Sequence, residues 1–350
     1  MKSWQSFAAL AVVGSIVLAG CGGGGVLAPS APEYRMVSVA SSGTVAMYSV
    51  SSAGSMSQIG TTSTGYQFVS VEAVTDRLYA SASNTDGIYS IGFSNDAPSS
   101  NSVLATASDS GSLLFKHPTK SALYAVVPAQ NTIDQWTINA NGSLTAMAPG
   151  SVGTDLSPRD MVFHPSGNYA YVVNRGSEVV RVYSIDSSGA LSLIPGAAFS
   201  TNSHPVKLIM TDDGAHLYAM SEDNDISQFS IGGNGLLTPL APQKTVYPMG
   251  NFRAAMTANN ILSFYRESDE GIETFGRTGN GQLTNMSVAN FATNSTTDVY
   301  RLPGQNLLML LARGTGTSKT VAMGSNGVGM ESSSASLPAV TVDVAFWEVP

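Results

Sequence analysis

Residues Ser157 to Asp186 carry the clearest hydrophobic pattern in the chain. Apolar and polar positions alternate through three short runs, Met161–His164, Tyr169–Asn174 and Val179–Ile185. A period of two sends successive side chains to opposite faces of a strand. Pro165-Ser166-Gly167 and Arg175-Gly176-Ser177 separate the runs. Such residues turn a chain tightly, because proline fixes φ, glycine accepts positive φ and serine bonds to nearby backbone. The stretch predicts an antiparallel meander.

The meander recurs along the chain. A turn ending in glycine, followed by a Leu-like residue, occurs at Gly54, Gly142, Gly189, Gly235, Gly281 and Gly327. From Gly142 onward the glycines lie 47, 46, 46 and 46 residues apart, and Gly54 stands two periods earlier. The missing copy falls at Ile88–Phe93, whose turn Asn95-Asp96-Ala97-Pro98 has no glycine. A second marker, Tyr79, Tyr124, Tyr171 and Tyr218, steps by 45, 47 and 47 in the strand before the turn strand. Seven copies follow, each with four strands; in the copy above these are Arg159–His164, Tyr169–Asn174, Val179–Ile185 and Leu191–Pro195. A small four-stranded sheet cannot bury both faces alone, so copies of this period pack radially. The expected fold is all-β, a seven-bladed β-propeller of four antiparallel strands a to d per blade.

The chain's ends fit that ring. Arg35–Ala40, Val45–Val50 and Met56–Ile59 supply strands b, c and d of a first blade, and Ala339–Trp347 reads as its missing strand a. Pairing the two termini closes the ring and removes an exposed edge.

Composition narrows the class further. Only 11% of residues are charged and 35 are glycine, which suits short strands and tight turns rather than helices. The formal net charge of −8 argues against nucleic acid and anionic lipid surfaces as partners. The single cysteine, Cys21, follows a basic start at Lys2, an apolar run from Phe7 to Leu18 and the small residues Ala19-Gly20. Leu18-Ala19-Gly20-Cys21 resembles the bacterial lipobox, whose cysteine becomes the lipidated first residue of the mature chain. Residues 1–20 are then a signal peptide, 21–32 the lipidated cysteine and a glycine-rich tether, and 33–350 one propeller. The expected location is the cell envelope, on the periplasmic side of the outer membrane, with contact to the membrane through the lipid alone.

The words Pro158-Arg159, Met161-Val162-Phe163-His164-Pro165 and Tyr169-Ala170-Tyr171-Val172-Val173-Asn174 resemble the seven-bladed lactonase family, which includes propeller-type 6-phosphogluconolactonases and muconate-lactonizing enzymes. They also resemble the YVTN-type propeller repeats of bacterial surface proteins. The lactonase resemblance implies a site on the face bearing the starts of the a strands and the b–c loops. Family enzymes typically carry Pro-Arg-His where this chain has Pro158-Arg159-Asp160, and Asn-Glu where it has Asn174-Arg175.

The repeat spacing adds candidates of its own. Eighteen residues beyond successive turn glycines stand Asp160, Lys207, Arg253 and Val299, while the tyrosine marker assigns Phe68 and Leu113 to the second and third blades. Three charges at one position of consecutive inner strands either hold an anion or pair with one another. Arg159, Asp160 and His204 are the candidate catalytic residues, and Arg175, Lys207 and Arg253 the candidate ligand-binding ones. His117, His164 and His216 read as turn residues. Glu222-Asp223-Asn224-Asp225 reads as a solvated turn, without the ligand order of a calcium loop. No zinc spacing, nucleophile elbow or phosphate loop occurs, so neither a cofactor nor a metal is expected.

The expectation is an envelope propeller that binds a small anionic or sugar-derived ligand, or an envelope protein. Hydrolysis of a sugar-acid lactone and a scaffold role in an envelope complex are the alternatives.

Overall fold

A computed structural model describes residues 34–74, 76–94, 97–106, 109–246, 253–258, 260–266, 271–290, 297–302, 306–312, 315–327, 329–338 and 341–348. Cys21 and the segment Glu267 to Glu270 lie outside the described residues. Twenty-eight strands form seven four-stranded antiparallel sheets arranged as a ring, and no helix occurs among the described residues.

Blade 1 combines both ends of the chain in the order β28-β1-β2-β3 (Thr341–Glu348, Tyr34–Ala40, Thr44–Val50, Met56–Ser63). Its inner strand β28 pairs with β1 from Tyr34↔Glu348 to Ala40↔Thr341, as the termini predicted. Blade 2 is β4 to β7 (Phe68–Val74, Arg77–Ala82, Ile88–Ser94, Ala97–Thr106), and blade 3 is β8 to β11 (Leu113–Lys116, Ala122–Val127, Thr132–Ile138, Leu144–Gly153). Blade 4 is β12 to β15 (Pro158–Phe163, Tyr169–Asn174, Val179–Ile185, Leu191–Ser200), and blade 5 is β16 to β19 (Pro205–Met210, His216–Ser221, Asp225–Ile231, Leu237–Val246). Blade 6 is β20 to β23 (Ala254–Met256, Ile261–Arg266, Gly271–Arg277, Leu283–Asn290), and blade 7 is β24 to β27 (Thr297–Arg301, Leu307–Ala312, Thr317–Met323, Gly329–Ser336).

Several boundaries differ from the sequence pattern. Strand β15 runs to Ser200 rather than Pro195, because the β14–β15 register shifts between Arg181 and Tyr183 and pairing resumes beyond it. Ala97 and Pro98 belong to β7 rather than to a turn, with Ser94 paired directly to Ala97. His216 is the first residue of β17 and not a turn residue.

The core is segmented rather than central. Seven apolar clusters fill the seven junctions between neighbouring sheets, so each blade is held chiefly by the two beside it. Period-two alternation is what serves two junctions from one strand: Met161 packs towards blade 3 and the next residue, Val162, towards blade 5.

The two sequence markers meet across these junctions. Tyr79, Tyr124, Tyr171 and Tyr218 donate their hydroxyls to the carbonyls of Gly142, Gly189, Gly235 and Gly281, the turn glycines of the following blades, at 2.6–2.8 Å. In blades 6 and 7, which lack the tyrosine, Thr274 and Thr320 reach the carbonyls of Gly327 and Gly54 from strand c instead. Gly235 shows why the turn residue must be glycine: its φ is +77°, and a Cβ there would sit 2.5 Å from the Tyr169 ring.

Candidate functional site

Each a strand starts, and each b–c loop lies, on one end of the ring. Blades 1, 2, 4 and 5 share a β-bulge at the start of strand a, where one residue is left without a cross-strand partner. The bulged residues are Val342, Val69, Arg159 and Val206. Valine therefore fills the position three times; Val206 is buried there and Val342 partly so. Arg159 alone is charged and exposed, and among the described residues it has no hydrogen-bond or ion-pair partner.

The residue before the bulge differs as well. Ser157 and His204 occupy equivalent places ahead of Pro158 and Pro205, with φ of 56° and 50°. This left-handed conformation is strained for residues other than glycine. It aims each carbonyl at a b–c loop, where Ser157 accepts from the Arg175 amide and His204 from the Glu222 amide. Anchored in this way, the His204 ring lies half-exposed, with Nδ1 2.9 Å from Asp223 Oδ2. Ser203 donates to the same carboxylate oxygen at 2.5 Å. The Ser203 hydroxyl first, and His204 after it, hold the Asp223 carboxyl below the usual range. With Nδ1–H donated to Asp223, Nε2 is left as an acceptor on the solvent side.

The acidic loop divides among separate partners instead of forming a cage. Arg175 donates from Nε and NH2 to the single oxygen Glu222 Oε2 at 3.0 and 2.6 Å, Asp223 takes His204, and Asp225 pairs with Lys244 at 2.7 Å. The sequence identified His204 and Arg175 but treated Asp223 as a solvated turn residue. Both lie in blade 5, where the pairing of Pro205 with Ser221 brings the b–c loop back over the start of strand a and makes Asp223 the partner of His204.

The inner strands carry the repeat-derived charges. Asp160, Lys207 and Arg253 do occupy one register position, but the same position in blade 7 is Asp298 and in blade 2 is Ser70, not Val299 and Phe68. The blade 2 error has a visible cause: Val74 pairs directly with Arg77, so its a–b turn is shorter than the six residues between Phe163 and Ala170. The charges are buried and paired. Lys207 Nζ is 3.4 Å from Asp160, and Arg253 Nε is 2.9 Å from Asp298.

Asp160 also bridges two blades. Its Oδ2 accepts the Leu208 amide at 2.9 Å. Asp343 and Ser70, at the same position in blades 1 and 2, accept the equivalent amides of Val71 and Leu114 at 3.0 and 3.1 Å. These amides lie on the inner edge of each sheet, where no further strand can satisfy them. Burial pushes the Asp160 carboxyl up, and Lys207 draws it back. Asp160 thus has geometry for joining blades, whereas Arg159 and His204 face solvent.

Residues 34–300 match the family model described as lactonase, 7-bladed beta-propeller. The chain belongs to this lactonase family. Solved structures similar to the lactonase propeller include a candidate 6-phosphogluconolactonase from Bacteroides uniformis, with a TM-score of 0.76, 14% identity, and coverage of 90% of this chain and 100% of that one. The periplasmic gluconolactonase of Pseudomonas aeruginosa gives 0.68, 18% identity, and coverage of 91% and 100%. A Lactobacillus plantarum protein gives 0.74 at 15% identity, covering 91% and 100%. At these identities the likeness concerns the fold. No curated protein matches the lactonase chain in sequence.

Proposed function

We propose that the protein hydrolyses the lactone of a sugar acid, with Arg159 and His204 on the b–c face as its working residues. The observation that carries this reading is Arg159: an exposed, unpartnered arginine at a bulge that is valine in the three other blades sharing it. Membership of the lactonase family and the names of the similar structures support the reaction class.

Lactone opening needs a water made nucleophilic and an electron-rich carbonyl oxygen stabilised as the water adds. The Asp223-oriented imidazole of His204 accepts the water's proton at Nε2. The Arg159 guanidinium, a planar donor of fixed charge, holds the carbonyl oxygen or an acid group of the substrate. Collapse of the tetrahedral adduct breaks the bond to the ring oxygen, which takes a proton and leaves a hydroxy acid. Asp160 has no part in this scheme because it is buried in contact with Lys207 and Leu208.

The test is hydrolysis of a panel of five- and six-membered sugar lactones by the purified protein and by Arg159→Val. Valine is the native residue at the equivalent bulges, so the variant is expected to melt within a few degrees of the wild type. A loss of at least about a hundredfold in kcat/KM is expected, the scale for removing one transition-state donor. Lactone binding without turnover in the wild type would leave a ligand-binding module, and equal rates in both proteins would refute hydrolysis at this site.

We also propose that the chain acts from the periplasmic side of the outer membrane, held by lipid on Cys21. The lipobox-like Leu18-Ala19-Gly20-Cys21 supports this, and the similar P. aeruginosa protein is itself described as periplasmic.

A further inference from the structure

The opposite end of the ring, formed by the a–b and c–d turns, has a gap. In blade 3 the a–b turn carries His117, which sends Nε2 to the Gly167 carbonyl of blade 4 at 3.1 Å, and His164 is its counterpart in blade 4. Blade 2 has only a two-residue turn between Val74 and Arg77, too short to reach blade 3 in the same way. What remains between blades 2 and 3 is a cavity of about 280 Å³.

The walls of this cavity are basic. Among the described residues Arg77, Lys116 and Lys120 line it, and Asp76 is the one carboxylate in that lining. Arg77 is held by Asp76 through two contacts, Nε–Oδ1 at 3.1 Å and NH2–Oδ2 at 2.8 Å, and its guanidinium lies over Gly142, where a Cβ would be 1.9 Å from it. Lys120 Nζ donates to the Gly167 carbonyl at 2.8 Å, a neutral acceptor that leaves its charge uncompensated. Among the described residues Lys116 has no hydrogen-bond or ion-pair partner; it is half-buried, and the buried carboxylate of Glu72 attracts it. Burial accordingly draws the Lys116 ammonium below its ordinary range. With Arg77 offset by Asp76 and Lys116 drawn by Glu72, three basic groups face two carboxylates, and the recess that the missing turn leaves open keeps a net positive charge.

We propose that this cavity binds a phosphate dianion, either inorganic phosphate or the phosphoryl group of a small sugar phosphate, between Lys116 and Lys120 and beside Arg77. An anion suits the net positive charge, and ammonium-to-phosphate hydrogen bonds, which three basic side chains can supply, are among the stronger kinds. The volume lies just below the range of roughly 300–1,000 Å³ typical of larger ligands, so the occupant is compact. The site is at the other end of the ring from Arg159 and His204 and does not depend on lactone hydrolysis.

The test is calorimetric titration of the whole protein at fixed ionic strength with inorganic phosphate, with a hexose phosphate and with nitrate, an anion of single charge. Saturable binding of at least one phosphate compound and none of nitrate is expected; a response to the hexose phosphate alone identifies the phosphoryl group of a sugar phosphate as the source. Lys116→Met should weaken binding about tenfold, Lys116→Arg should restore most of it, and Arg159→Ala should leave it unchanged. If Lys116→Met fails to fold, Lys116→Gln and Lys120→Met carry the same comparison. Absence of saturable phosphate binding, equal affinity in the lysine variants, equal binding of nitrate, or dependence on Arg159 would each overturn the proposal.

Discussion

His117 offers a sharp test of how the blades are joined. The ring is fully buried, its Nδ1 accepts the amides of Thr119 and Lys120 at 3.1 and 2.9 Å, and Nε2–H is donated to the Gly167 carbonyl. These contacts require the neutral tautomer protonated at Nε2, because a second proton on Nδ1 would meet two donors. Burial draws the imidazole down from 6.5 to about 4; the Gly167 carbonyl opposes this, and the charges of Lys120 and Lys116 assist it. As the pH falls through 6.5, the unfolded chain takes up a proton that the folded chain refuses until about pH 4. The unfolded state therefore binds more protons in that window, and stability falls as the pH is lowered through it. At about 1.4 kcal/mol per pH unit the full interval is worth ~3 kcal/mol, and screening by water in the adjoining cavity brings the expected loss to roughly 2 kcal/mol.

The comparison protein is His117→Asn, whose Oδ1 can still accept the two turn amides but whose side chain neither reaches Gly167 nor titrates. At pH 7 the variant should be less stable by about 1–2 kcal/mol, one buried hydrogen bond and some packing against Phe163. That difference should shrink and then vanish as the pH approaches 4.5. Urea unfolding of both proteins across pH 4.5–7.5 measures it, alongside NMR titration of the His117 ring. A constant difference across the series, or a ring that titrates near 6.5, would refute the reasoning.

Three further outcomes follow from the same architecture. Tyr124→Phe removes a 2.6 Å bond to the Gly189 carbonyl and should cost about 1–2 kcal/mol in urea unfolding, whereas Tyr66→Phe should cost far less. Removing the last twelve residues takes away the whole of β28 and exposes β1 and the apolar cluster shared by blades 1 and 7; the truncated chain should lose cooperative unfolding, and a sharp transition at an unchanged temperature would contradict ring closure by the termini. Cys21→Ser should move the protein from the membrane to the soluble fraction and abolish the mass increase due to acylation; retention in washed membranes would argue against the lipid anchor.

The sequence by itself determined the number of blades, the strands of most of them and the closure of the ring. These are local matters, because strand alternation, turn glycines and a period near 46 residues are all written in neighbouring residues. It also singled out Arg159 and His204. It could not show that Tyr124 and Gly189, read as separate markers, are two halves of one bond, since they belong to different blades. Asp160, Lys207 and Arg253 looked like a functional constellation because register is visible in spacing but burial is not. The tertiary structure turned them into paired, buried groups that join blades, moved the seventh position from Val299 to Asp298, and left Arg159 facing solvent. Asp223 and the cavity beside Lys116 were hidden for the same reason. The first depends on how a b–c loop folds back over the start of strand a within one blade, the second on how two adjacent sheets meet, and neither contact is written in the repeat that announces the fold.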